Sequence, residues 1–213
     1  MVKIAVLASG RGSNFRAIQE HIQSEKLDCK ISVLICDKPS TGALDIARRF
    51  QISTEVISPG EFPTMEKFGS ALMNVLGKYR IDFIFLAGYL RKIPINVITR
   101  FSNRIFNIHP ALLPSFGGKG MYGKRVHEAV FQAGVKVSGV TIHLVNSEYD
   151  AGPIVLQKCV SIEECTSPDE IAAKVLTLEH KYYPQMVNLL LTQEIAVNGK
   201  RVVLRERKDD QNK

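Results

Sequence analysis

At 213 residues the chain has room for one large domain, and its 45% hydrophobic content can fill a sizeable core. No apolar run approaches the roughly 18 residues of a membrane span, and Met1 leads straight into a strand pattern without a signal-peptide cleavage region, so a cytoplasmic protein with no membrane partner is expected. The formal charge of +7 suits nucleic acid or small anionic ligands, but no aromatic-basic interleaving of the RNA-binding kind accompanies it, and no nucleic-acid partner is expected.

Val2 to Ala8 reads as a buried first strand. Ser9-Gly10-Arg11-Gly12-Ser13-Asn14 turns the chain into a helix with Phe15, Ile18 and Ile22 on its apolar face. Ile31 to Cys36 is a second strand. Thr41 to Phe50 is a short helix for which Ser40 or Thr41 can cap, and Thr54 to Ile57 is a third strand. The spacing predicts a helix from about Pro63 to Tyr79 with Met65, Phe68, Leu72, Leu76 and Tyr79 on one face. Phe83 to Ala87 is apolar at every position, as in a strand covered on both sides. Strand and helix alternate at short spacing, the sign of a parallel sheet wrapped by helices.

The next strand begins at Arg104. Alternation places Asn107 and His109 on one face and Phe106 and Ile108 on the other, and Pro110 biases His109 toward extended backbone. The chain leaves through two prolines and the glycine-rich run Gly117 to Gly123. Val126 to Gln132 is a helix, and Val137 to Val145 and Ile154 to Val160 are strands whose short, turn-rich link suggests an antiparallel pair. Ser167-Pro168-Asp169-Glu170 starts a long helix, which Pro184 is expected to kink or interrupt. Ile195–Val197 and Arg201–Leu204 flank the hairpin signal Asn198-Gly199. The fold class is therefore α/β: a Rossmann-like, mostly parallel twisted sheet with helices on both faces and antiparallel strands in the C-terminal part. Residues 1–204 form one domain, and 205–213 read as a charged tail.

Candidate chemistry concentrates at three places. A carboxamide can donate to a developing oxyanion and an imidazole can act as acid or base, so Asn107 and His109 at a strand end form a candidate pair; the bland reading is a buried pair that satisfies backbone groups. Gly10-Arg11-Gly12-Ser13-Asn14-Phe15 lacks the third glycine of a dinucleotide fingerprint. It keeps a glycine turn at a helix N-terminus, which suits a single phosphate; ordinary capping by Ser13 or Asn14 is the alternative. Asp150, in a turn, is structural unless the fold brings it to His109. His143 reads as a core histidine, His127 and His180 as surface or supporting residues, and Glu179 as a solvated acid or one at a cleft rim. Cys29, Cys36, Cys159 and Cys165 form no C-x-x-C pair; Cys36 and Cys159 fit core filling. No cluster has metal-ligand spacing, so no metal is expected.

With Asn107-Ile108-His109-Pro110-Ala111-Leu112-Leu113-Pro114, Asp150-Ala151-Gly152-Pro153 and the Ser9–Asn14 turn in place, the chain resembles the formyltransferase family that uses 10-formyltetrahydrofolate. The resemblance covers nearly the whole chain. It implies transfer of a formyl group from 10-formyltetrahydrofolate to the amino group of glycinamide ribonucleotide, in purine synthesis. The implied catalytic residues are Asn107, His109 and Asp150, with His109 kept protonated by Asp150. The implied phosphate and ribonucleotide site is Gly12, Ser13, Asn14, Phe15, Arg16 and Glu179. The implied folate site is Leu90, Arg91, Lys92 and Ile93, Asn107, and the loop Asn146, Ser147, Glu148, Tyr149 and Asp150. A monomer or homodimer is expected.

The chain departs from the pattern at Met65-Glu66-Lys67, where relatives carry a folate-contacting arginine, at Ala111, where serine is common, and in its longer glycine-rich run. Two other readings remain open. A deformylase uses the same Asn-His-Asp group with water in place of the amine, but with an added N-terminal domain, whereas here the strand pattern starts at Val2. A non-catalytic basic nucleic-acid-binding protein would explain the charge but not the placement of the three residues.

Overall fold

The computed structural model describes residues 1–206. Nine strands form one sheet: β1 (Val2–Ala8), β2 (Cys29–Cys36), β3 (Thr54–Val56), β4 (Phe83–Leu86), β5 (Ile105–His109), β6 (Val137–Leu144), β7 (Ile154–Ser161), β8 (Gln193–Asn198) and β9 (Arg201–Glu206). The helices are α1 (Ser13–Ser24), α2 (Gly42–Arg49), α3 (Met65–Lys78), α4 (Ile95–Arg100), α5 (Lys124–Gln132) and α6 (Pro168–Thr192). The strand order is β3-β2-β1-β4-β5-β6-β7-β9-β8. Strands β1 to β5 pair in parallel, while β5–β6, β6–β7 and β8–β9 are antiparallel. The chain winds outward from β1 through β2 and β3, then returns to β4 on β1's other side. Ligands of open α/β sheets bind at such a reversal, beyond the carboxyl ends of the strands.

Alternation along each central strand feeds two cores. Ile4, Val6 and Ala8 of β1 join Phe15, Ile18 and Ile22 of α1, Val126 and Val130 of α5, and Val175, Tyr183 and Val187 of α6. Ala5 and Leu7 point the other way, to Phe68, Leu72 and Leu76 of α3 and Val97 of α4. Tyr183, fully buried, packs its ring 5.3 Å from that of Phe85, and its hydroxyl shares its proton between the carbonyls of Leu86 and Phe106 at 3.0 Å each. One α6 side chain thereby ties together β4 and β5, the strands beside the site.

Several sequence expectations are corrected. Met65, placed on the apolar face of α3, opens that helix and is 48% exposed, because Thr64 caps the helix by accepting from the Lys67 N–H. Thr41 precedes α2 but does not cap it; its hydroxyl donates to Cys36 Sγ. Helix α6 runs through Pro184 without interruption, with the proline buried. Cys159 is exposed, within a run of three exposed residues in β7 that leaves both faces of the strand open there. Arg205 and Glu206, assigned to the tail, are the last residues of β9; the rest of the expected tail lies outside the described residues. The 3₁₀ turn Pro59–Glu61 and α4 carry too little periodicity to be read from sequence.

Two glycines position the loop after β6. A Cβ on Gly152 would collide with the carbonyl oxygen of Leu144, and one on Gly139 would collide with that of Lys158. Both obstacles are backbone. Gly152→Ala is therefore expected to cost about 1–3 kcal/mol, the usual penalty of overpacking, and to shift Asp150 two residues away. Urea denaturation checks it; an unchanged midpoint would refute the close packing.

Candidate active site

Antiparallel pairing of β5 with β6 sets Asn107 directly opposite His143 and His109 opposite Thr141. Direct partners share a face, so a second imidazole joins the two predicted groups. The loop after β6 folds back over that face and brings in Asp150, whose side chain is only 11% exposed. Asp150 Oδ2 lies 3.5 Å from His109 Nδ1 and accepts the Gly118 N–H at 3.0 Å. Its Oδ1 lies 3.6 Å from His143 Nε2 and 3.5 Å from Asn107 Nδ2. Asp150 holds φ at +53°, a left-handed conformation that aspartate tolerates better than most residues. The fold thus unites Asn107, His109 and Asp150.

His143 was missed as a site residue, and its tautomer orders the site. Nδ1 lies 2.8 Å from the Leu144 carbonyl, which can only accept. In the neutral ring Nδ1 therefore carries the proton, and Nε2 presents a lone pair to Asn107 Nδ2 at 3.1 Å. That contact requires the NH₂ side of the Asn107 amide to face inward, toward His143 and Asp150. Its sequence signal was thin, because only the strand order makes His143 a neighbour of Asn107.

The glycine-rich loop closes the other side. His109 Nε2 donates to the Phe116 carbonyl at 2.8 Å, so both ring nitrogens of a residue only 3% exposed are occupied. Burial pushes the His109 pKa down more than the Asp150 carboxylate and the Phe116 carbonyl raise it. The expectation that Asp150 keeps His109 protonated is thus corrected: desolvation outweighs the ion pair, and the resting imidazole is neutral at pH 7. For Asp150, burial alone would raise the pKa, but His143, the charge of His109 and the Gly118 N–H together hold it below the usual carboxylate range.

Both shifts have the same sign for stability. The unfolded chain takes up a proton on His109 near the ordinary 6.5, before the folded protein does. Stability is therefore lost as pH falls through that value, and Asp150 adds a further loss as pH falls through its own lowered folded pKa. Glu179, whose carboxyl burial pushes up, contributes with the opposite sign, so the check is a difference: from about pH 7.5 to about pH 5 the melting temperature of the wild-type protein should fall more than that of His109→Gln. Equal slopes in calorimetry would contradict the His109 shift.

At the first turn, Gly12 holds φ at +78° and a Cβ there would sit 2.7 Å from Ala43 Cα, so geometry and packing both demand glycine. Gly12 is itself the N-cap of α1, and no side chain caps the helix. Capping by Ser13 or Asn14, the bland alternative, is not realised, and the first-turn N–H groups stay available to an anion. Asn14 Nδ2 instead donates to Glu179 Oε2 at 2.5 Å, while Asn14 Oδ1 is buried without a partner among the described residues. Glu179 is half-buried rather than solvated, and burial pushes its carboxyl up against the opposing bond from Asn14. Phe15 is core, and Arg16 pairs loosely with Glu20 on the surface at 3.8 Å.

The expected folate residues divide. The two loops meet where Lys92 Nζ lies 5.8 Å from the centre of the Tyr149 ring, and Leu90 and Tyr149 expose apolar surface beside the site. Leu90 N–H donates to Ser9 Oγ, which fastens this loop to the first turn. Ile93 is a core side chain. Asn146 accepts the Glu148 N–H at 3.0 Å to shape its turn, and Ser147 and Glu148 are exposed. His127 is buried rather than on the surface. Among the described residues no three His, Cys, Asp or Glu side chains gather as metal ligands, and no helix is long and apolar enough to cross a membrane.

A cavity of about 700 Å³ opens at the opposite end of the sheet beside Lys3, Lys26, Lys30 and Lys78. Helices α1 and α3 end there, and lysines are the ordinary complement to helix C-termini. The chemistry lies at the carboxyl ends of the strands, away from it.

An amide and an imidazole on one face, a carboxylate beside them able to take a proton, and an open helix N-terminus on the same edge of the sheet suit a reaction that builds charge on a carbonyl oxygen. They define a group-transfer enzyme on a Rossmann-like sheet, acting on small molecules. Comparison with known proteins makes the class specific: the chain belongs to the formyl transferase family, whose model matches residues 2–187. It is 42% identical over 194 residues to the chloroplastic phosphoribosylglycinamide formyltransferase of Arabidopsis thaliana, covering 91% of this chain and 66% of that protein. It is 38% identical over 191 residues to the phosphoribosylglycinamide formyltransferase of Bacillus subtilis, covering 90% and 95%. Among solved structures, glycinamide ribonucleotide transformylase 1 from Symbiobacterium toebii superposes with a TM-score of 0.88 at 33% identity, covering 97% of this chain and 95% of that one.

Proposed function

We propose that the protein transfers the formyl group of 10-formyltetrahydrofolate to the amino group of glycinamide ribonucleotide, giving formylglycinamide ribonucleotide and tetrahydrofolate in purine synthesis. The observation that carries the reading is the convergence of Asn107, His109 and Asp150 at the carboxyl end of β5, one strand beyond the β1–β4 reversal and on the same edge of the sheet as the uncapped N-terminus of α1. The related proteins carry the same activity in their names.

The acceptor amine attacks the formyl carbon and a tetrahedral intermediate forms. Asn107 Nδ2 and His109 donate to the oxyanion once the Phe116 carbonyl has moved off the imidazole. Asp150, through water, takes the proton from the attacking nitrogen and passes it to the folate nitrogen as that carbon–nitrogen bond breaks. Gly12, Ser13, Asn14 and Arg16, with the backbone N–H of the buried Phe15, would frame the phosphate, and Glu179, paired with Asn14, would receive the amine or ribose end. Leu90 to Ile93 and Asn146 to Asp150 flank the folate. The enzyme is read as cytoplasmic, a monomer or homodimer, with two small-molecule substrates.

One assay tests the assignment: incubation with 10-formyltetrahydrofolate, with and without glycinamide ribonucleotide. Formyl loss only with the amine is the expected result; loss without it would mean a deformylase. Alanine at Ser13 and Asn14 should raise the KM for the ribonucleotide far more than for the folate, and equal effects on both would argue against a phosphate turn.

A further inference from the structure

Directly after β2, Asp37 carries a carboxylate with 0% side-chain exposure. Its Oδ2 accepts Arg91 Nε at 2.6 Å, and its Oδ1 has no hydrogen-bond partner among the described residues. Tyr89, two residues before Arg91, is 8% exposed, and its hydroxyl is likewise buried without a partner among the described residues. Burial and the neighbouring Asp37 charge both push that phenol's pKa up.

A buried carboxylate is costly unless paired, so this one needs a reason to be there. Arginine–carboxylate pairs are frequently two-point forks that satisfy both carboxylate oxygens. Here the grip is single. It takes Nε and leaves both Nη groups without a protein partner among the described residues, on a side chain 46% exposed. Arg91 also lies one residue beyond Leu90, whose N–H is fastened to Ser9 at the first turn. A guanidinium held by its inner nitrogen, on a fastened loop, presents its outer edge in one orientation.

We propose that Asp37 is a positioning residue that aims the Nη edge of Arg91 at a carboxylate of the folate co-substrate's glutamate. The inference rests on the formyl-transfer reading above. Asp37 does not touch the co-substrate; it fixes the orientation of the group that does. It also subtracts charge from Arg91, so the two effects of removing it have opposite signs. Loss of orientation weakens carboxylate binding, and loss of the opposing charge strengthens it. Orientation prevails, because a bidentate contact needs both Nη groups in one plane with the ligand's oxygens.

The test uses the full chain and two co-substrates, 10-formyltetrahydrofolate and the analogue without glutamate, 10-formyltetrahydropteroate, at saturating glycinamide ribonucleotide. Asp37→Asn should raise the KM for the glutamylated co-substrate about tenfold, equivalent to about 1.4 kcal/mol, and leave kcat, the ribonucleotide KM and the pteroate KM close to wild type. Equal penalties on both co-substrates would indicate a merely structural residue. A lowered folate KM would mean that neutralisation dominates. A raised ribonucleotide KM would mean that Arg91 serves the phosphate. Each of these overturns the proposal. Should Asp37→Asn fail to fold, Arg91→Lys keeps a cation and loses the fork; an unchanged folate KM in that variant is equally fatal. Wild-type protein without amine-dependent transfer would instead overturn the formyl-transfer reading itself.

Discussion

Asp150→Asn is expected to slow formyl transfer by about 10²–10⁴, the range for a lost general acid–base group, while the protein remains folded. The carboxylate accepts the Gly118 N–H on one oxygen and faces the Asn107 amide on the other, with the rings of His109 and His143 3.5 and 3.6 Å away. An amide in its place has one acceptor oxygen and turns its NH₂ toward either Gly118 N–H or Asn107 Nδ2, donor against donor. It also cannot take a proton from the attacking amine. Asparagine is the right probe because position 150 has φ at +53°, and asparagine occupies that region as readily as aspartate; alanine would confound catalysis with backbone strain. Single-turnover rates with both substrates saturating provide the readout, with circular dichroism as the folding control. Turnover within about tenfold of wild type, well short of general acid–base loss, would remove Asp150 from the proton path.

The parts of this site that were legible from sequence are those governed by local rules. Period-two alternation put Asn107 and His109 on one face, and β5 keeps that arrangement. The Gly10–Gly12 turn pointed to a special backbone, and Gly12 adopts it. What stayed hidden depends on long-range placement. His143 is a core histidine by its own strand and a site residue only through its antiparallel neighbour. Asp37 and Arg91 are 54 residues apart and meet because β1 lies between β2 and β4, an order that no local signal carries. Glu179 sits at the edge of an apolar helix face, and only the packing of α6 on α1 turns it from a surface acid into a partner of Asn14. The protonation of His109 was misjudged for a related reason: the partner carboxylate was visible in the sequence, but the depth of burial that outweighs it was not.

That burial shapes the second large prediction. His109→Ala and Asn107→Ala should each cost about 10²–10³ in kcat, the usual loss on removing one oxyanion donor. His109 is neutral at rest, with Nδ1 3.5 Å from Asp150 and no proton needed there. As negative charge grows on the formyl oxygen, the proton that Asp150 takes from the attacking amine is shared with His109 Nδ1 before it leaves on the folate nitrogen, and the charged ring is favoured from both sides, by the oxyanion at one nitrogen and Asp150 at the other. The imidazolium is thus stabilised more in the transition state than in the ground state, which is the condition for raising kcat rather than merely lowering KM. Much of what Asp150 contributes then passes through His109. The double variant His109→Ala/Asp150→Asn should be little slower than the worse of the two single variants, as for residues that act as one unit. Asn107 donates through its own amide, so its loss should combine more nearly additively with that of His109. If the His109 and Asp150 losses multiply instead, the two act independently, and the carboxylate's contribution is confined to moving the amine proton.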